Sequence, residues 1–127
     1  MIRYEIDLSQ RLVIAHFIGE IDYAELEGWH LGLAANPDYA PDYSGVGDMR
    51  RAKMRISPAD LKRIDKLNAD RRIVTGRWAL LVETPREAAL AAQYEQVKDD
   101  KHPMNYFCTV AAASDYLGVD LSEYLTD

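Results

Sequence analysis

The order of β-rich and helical segments predicts an α/β fold, a mixed β-sheet that opens with an N-terminal antiparallel hairpin and continues through helical crossovers in the order ββαβαβαβα. Three observations carry this expectation. Two β-rich segments, 2–7 and 11–18, are separated only by Leu8-Ser9-Gln10, a spacing that suits a hairpin. Ser57-Pro58 and Thr84-Pro85 each place a capping hydroxyl before a proline at the first helical position, where a missing N–H costs nothing. The run 76–84, GRWALLVET, is continuously apolar between turn or cap residues, as in a strand covered on both faces, and is the best candidate for the sheet's centre.

The elements follow in order. In the second strand Leu12, Ile14, His16 and Ile18 share one face and Val13, Ala15 and Phe17 the other, so both faces are apolar and the strand is interior. Asp22 is a plausible N-cap for a helix to about Ala35, in which Tyr23, Leu26, His30 and Leu33 form the apolar stripe. Asn36-Pro37 breaks it, and a turn-rich stretch leads to a short strand at 46–49 followed by a loop. The second helix starts at Ser57-Pro58 and buries Leu61, Ile64 and Leu67. Thr84-Pro85-Arg86-Glu87 reads as a capping box opening a third helix with Leu90, Tyr94 and Val97 in line, ended by Asp99-Asp100. A last strand at 105–110, a short helix stopped at Gly118 and one helical turn at 120–125 complete the chain.

With 127 residues, 48% hydrophobic and 28% charged, residues 1–127 match a single domain with one core. The N-terminus lacks a basic segment followed by an apolar one, and no stretch of about 18 apolar residues occurs, so a cytoplasmic protein without a transmembrane segment is expected. The single cysteine, Cys108, falls in an apolar stretch where a thiol behaves as a small hydrophobe, and pairing it with a histidine as a nucleophile requires an activation that nothing local supplies. The net charge of −6 argues against non-specific nucleic-acid binding, but it hides an asymmetry: residues 50–77 carry +7 and the rest of the chain −13.

Gly19-Glu20 at the end of the hairpin, Asn36-Pro37-Asp38-Tyr39, Asp48-Met49-Arg50, Ser57-Pro58-Ala59-Asp60-Leu61 and Tyr116-Leu117-Gly118-Val119 together resemble the SpoIIAA-like group of small bacterial proteins. That group is related to STAS-domain anti-sigma factor antagonists and is described alongside CRAL-TRIO lipid-transfer domains. The resemblance covers nearly the whole chain and implies a non-enzymatic binding or regulatory module. Phosphorylatable STAS antagonists carry a serine or threonine directly after the third strand; here residues 49–56 follow Asp48 without one, and the first serine is Ser57.

The basic segment is the sharpest candidate site. Lys62, Arg63 and Lys66 project from the second helix opposite its apolar stripe and are expected to join Arg50, Arg51, Lys53 and Arg55 on the preceding loop, with Asp48 at the strand end, in a surface for a protein partner or a small anionic ligand. The plain alternative is a solvated helix face. Ser57 is a candidate phosphorylation site at a helix N-terminus, and equally an ordinary cap. Gly28 and Gly32, with Ala35, lie on the outward face of the first helix with Trp29 at the border, a candidate self-association surface for a homodimer. His16, His30 and His102 lack metal-ligand spacing; His16 and His30 read as core or rim residues and His102 as exposed loop, so no metal, cofactor or catalytic set is expected. Gly45-Val46-Gly47 precedes a strand, which fails the context of a nucleotide loop. Two rivals remain: a carrier of a small apolar or lipid-like molecule under the aromatic first and third helices, as the CRAL-TRIO comparison implies, and an enzyme using Asp48 with a histidine.

Overall fold

The computed structural model describes residues 1–98 and 102–126, so the expected helix stop at Asp99-Asp100 lies outside the described residues. Along the chain run β1 (Ile2–Asp7), β2 (Leu12–Asp22), α1 (Tyr23–Ala35), β3 (Ser44–Arg55), α2 (Pro58–Arg71), β4 (Trp78–Leu81), α3 (Pro85–Val97), β5 (Met104–Phe107), α4 (Val110–Leu117) and a 3-10 turn (Leu121–Glu123). The mixed sheet and its helical crossovers are as the sequence predicts. β1 pairs antiparallel with β2, and β2, β3, β4 and β5 are mutually parallel in the spatial order β1-β2-β3-β4-β5. This order puts β3, not the 76–84 run, at the sheet's centre.

Hydroxyl and carboxylate caps start the helices. Asp22 accepts from the Glu25 N–H at 2.9 Å, Thr109 from Ala112 at 3.1 Å, and Ser57 forms a reciprocal box with Asp60. Thr84 also caps, but Glu87 reaches its hydroxyl rather than its backbone N–H, so the capping box is incomplete. The buried Glu87 carboxylate accepts from the Thr84 hydroxyl at 3.0 Å and, across the interface, from the Met54 N–H at 3.1 Å. Arg86 donates to the Met54 carbonyl at 3.1 Å, so α3 satisfies both backbone groups of Met54 on a stretch of β3 that β4 is too short to reach.

Alternation sorts the side chains into two layers. Val13, Ala15, Phe17 and Ile21 of β2 face α1, α2 and α3 and pack with Leu26, Leu33 and Ile64, while Leu12, Ile14, Val46, Ala79 and Leu81 face α4 and pack with Val110, Ala113, Leu121 and Leu125. Gly45 is required by a close approach: a Cβ there meets the Trp78 indole at 2.3 Å.

Several expectations fail locally. β3 runs twelve residues to Arg55, replacing the short strand and loop, and β2 extends four residues past Ile18. β4 is confined to four residues, and α4 begins at Val110, the expected end of the last strand. Cys108 is exposed just beyond β5, and His102 is buried rather than exposed.

Candidate functional site

The two layers are unequal. α4 has eight residues, about 12 Å of helix, whereas β3 has twelve, roughly 40 Å of strand. The part of the sheet beyond α4 is left open on that face, and it carries most of the strand-borne charges the sequence singled out.

A register shift between His16 and Ile18 builds this surface. His16 pairs with Asp48 and Ile18 with Arg51, so Met49 and Arg50 together oppose Phe17 in a β-bulge. Within the bulge Met49 points to the helical layer; after it Ala52 and Met54 do, and Arg51, Lys53 and Arg55 take the open face. Arg3 of β1 stands beside His16, which stands beside Asp48, so Arg3, His16 and Asp48 form one row across three strands. A cleft of about 400 Å³ opens here, lined by Arg3, His16, Asp48, Arg51 and Glu83 and walled by the terminal residues Tyr124 to Thr126. Glu83 lies just past the carboxyl end of β4, the position where open α/β sheets receive ligands. The Tyr124 hydroxyl donates to Asp7, tying the C-terminal wall to the first turn, and Leu125 anchors it in the core.

Asp48 is committed within the cleft. Its oxygens accept from Arg50 Nε and Nη2, each at 2.9 Å, and Oδ1 also accepts the Arg50 N–H at 3.1 Å. Burial works against the charged carboxylate, but these bonds, the guanidinium charge and nearby His16 outweigh it and hold the carboxyl below its ordinary range. A carboxylate held this way is a poor proton acceptor at neutral pH. Among the described residues no three histidine, cysteine or acidic side chains gather as metal ligands.

The structure divides the other basic residues. Arg55 pairs with Glu20 at 2.8 Å, while no ion pair is recorded for Arg3, Arg51 or Lys53 among the described residues. Lys62, Arg63 and Lys66 lie on α2, across the sheet from the open face, and do not join the strand cations. Lys66 pairs with Asp70 at 2.8 Å, and Arg63 lies 4.0 Å over the Tyr23 ring and 3.7 Å from Asp60. The Ser57 hydroxyl accepts from the Asp60 N–H at 3.1 Å, and Asp60 returns to the Ser57 N–H at 3.0 Å, so a phosphate on Ser57 meets a carboxylate before any arginine. Gly28 and Gly32 face outward into open space, but Trp29 is not an outward anchor: its ring meets Phe17 at 5.3 Å and Trp78 at 5.7 Å inside the helical layer. Arg3 and the cleft's C-terminal wall escaped the sequence reading, because only strand pairing brings Arg3 next to His16.

Two solved structures are similar to this chain over 91% of its length. The chain has the SpoIIAA-like fold. One match is an uncharacterized protein from the DUF3478 family with a SpoIIAA-like fold from Shewanella loihica PV-4, with a TM-score of 0.61 at 15% identity and 93% of that chain covered. The other is the anti-sigma factor antagonist SpoIIAA in its unphosphorylated form, with a TM-score of 0.56 at 14% identity and 96% covered. No family model and no curated protein matches the chain. Among the described residues, no helix of this SpoIIAA-like chain is long and apolar enough to cross a membrane.

Proposed function

We propose that this chain is a non-catalytic binding module that receives an extended acidic segment of a protein partner on the open face of β1, β2 and β3. The observation that supports the reading is the row of cations there. Arg51 and Lys53 alternate along β3, and Arg3 lies across the cleft; none of the three forms an ion pair among the described residues, and Glu20, which stands beside Lys53 and feels its charge, is itself bonded to Arg55. Side chains two apart on a strand stand about 7 Å apart, which matches alternate side chains of a second extended segment. The cations of α2 are less available, since Lys66 and Arg63 already meet carboxylates. Fluorescence anisotropy with a labelled peptide bearing glutamate at alternate positions tests the reading. Arg51→Glu/Lys53→Glu is expected to weaken binding more than about ten-fold and Lys62→Glu/Lys66→Glu less than about two-fold. Equal losses in the two variants, or no binding by the unmodified protein at low salt, overturn it.

A further inference from the structure

On the opposite side of the sheet, between it and the layer of α1, α2 and α3, lies a cavity of about 90 Å³. Its walls are apolar, and among the described residues no Asp, Glu, Lys or Arg lines it. Two features mark it as more than imperfect packing. Trp29 and Trp78 both line it, and the Nε1–H groups of both are buried without a hydrogen-bond partner. Buried indole donors are ordinarily satisfied, and leaving two unpaired beside one void works against stability, so they call for an acceptor that no described residue places within hydrogen-bond distance. His30, also in the wall, presents a different group. Its Nδ1 lies 2.8 Å from the Leu26 carbonyl, which can only accept, so Nδ1 carries the proton and Nε2 is left as an acceptor.

Size narrows the ligand. An apolar cavity of roughly 150 Å³ holds one benzene ring, so about 90 Å³ falls short of a ring and far short of an acyl chain. Three of the chain's four methionines, Met49, Met54 and Met104, stand in the wall, and methionine reshapes around a guest more readily than branched side chains do. A ring-sized guest therefore fits after modest movement of these side chains. Charge narrows it further, because an ionised ligand would be buried without a counter-ion.

We infer that this cavity binds a neutral molecule of about one ring in size, bearing a hydrogen-bond acceptor that the indole N–H of Trp29 or Trp78 engages. The inference is independent of the open face. The chain has two tryptophans and so two indole N–H resonances, which Trp29→Phe assigns. Acetophenone is expected to shift at least one of them saturably and to bind about ten-fold more tightly than cumene, its acceptor-free analogue of similar shape, while benzoate leaves both unmoved. Trp29→Phe or Trp78→Phe, which keep the aromatic bulk, are expected to bring acetophenone down to the affinity of cumene and to leave cumene unchanged. Absence of a saturable shift up to the solubility of acetophenone, or equal affinities for acetophenone and cumene in the unmodified protein, overturns the inference. That comparison stands even if neither variant folds.

Discussion

Arg50 bends back along its own strand from within the β-bulge to grip Asp48, with two parallel N–H···O bonds of 2.9 Å. An arginine two residues on can reach a carboxylate from a regular strand, but its backbone N–H then points along the sheet to a neighbouring strand, so the added bond from the Arg50 N–H depends on the bulge. The grip neutralises one carboxylate and one cation on the open face and leaves Arg3, Arg51 and Lys53 as its cations without an ion pair among the described residues.

Both partners of this ion pair are largely shielded, with side-chain exposures of 15% and 13%, so breaking it is costly. Asp48→Asn is expected to lower stability by about 1–3 kcal/mol at pH 7, measured by urea unfolding. Because the carboxyl titrates lower in the folded than in the unfolded chain, its contribution is complete at neutral pH and lost as pH falls below about 4 and through the folded value. The stability difference between wild type and Asp48→Asn should therefore shrink in acid.

His30 makes a separate pH prediction. Burial brings its pKa down to about 4 against an ordinary value of 6.5, partly offset by the bond to Leu26. Between these values the unfolded chain binds the proton and the folded one does not, so stability falls as pH drops from 6.5 toward 4. In His30→Gln, which retains a donor for the Leu26 carbonyl, melting temperatures across this window should depend less steeply on pH.

The glycines separate by surroundings. Gly45→Ala drives a methyl group into the Trp78 ring and is expected to cost about 1–3 kcal/mol in chemical unfolding. Gly28→Ala and Gly32→Ala enter open space on α1 and should stabilise by about 0.5–1 kcal/mol each.

Glu87 links α3 to the centre of the sheet through the Met54 N–H. Glu87→Ala strands that buried donor, and a loss of about 2 kcal/mol or more is expected from thermal denaturation, exceeding the roughly 1 kcal/mol of the exposed cap change Ser57→Ala.

Local signals were legible where a few neighbouring residues decide the structure. Ser57-Pro58 and Thr84-Pro85 announce their helices because cap chemistry acts within one turn. β3 was not legible past Met49, because the bulge shifts the alternation by one residue and makes RRAKMR read as a charged loop. The same shift sends Arg51, Lys53 and Arg55 away from α2, which separates two groups of cations that are adjacent in sequence. Trp29 and His102 were misplaced for another reason: contacts outside their own elements, with Trp78 for Trp29 and Tyr94 for His102, draw both rings inward. Arg3 entered the site only through pairing with β2.

The proposed docking surface is the open face of the sheet rather than the outer face of α2. Amide chemical-shift mapping with the alternating glutamate peptide tests it most directly. Saturable shifts are expected to concentrate at Arg3, His16, Asp48, Arg51 and Lys53 and to fade as salt is raised. Shifts concentrated at Lys62, Arg63 and Lys66, with the β3 amides unmoved, would contradict it.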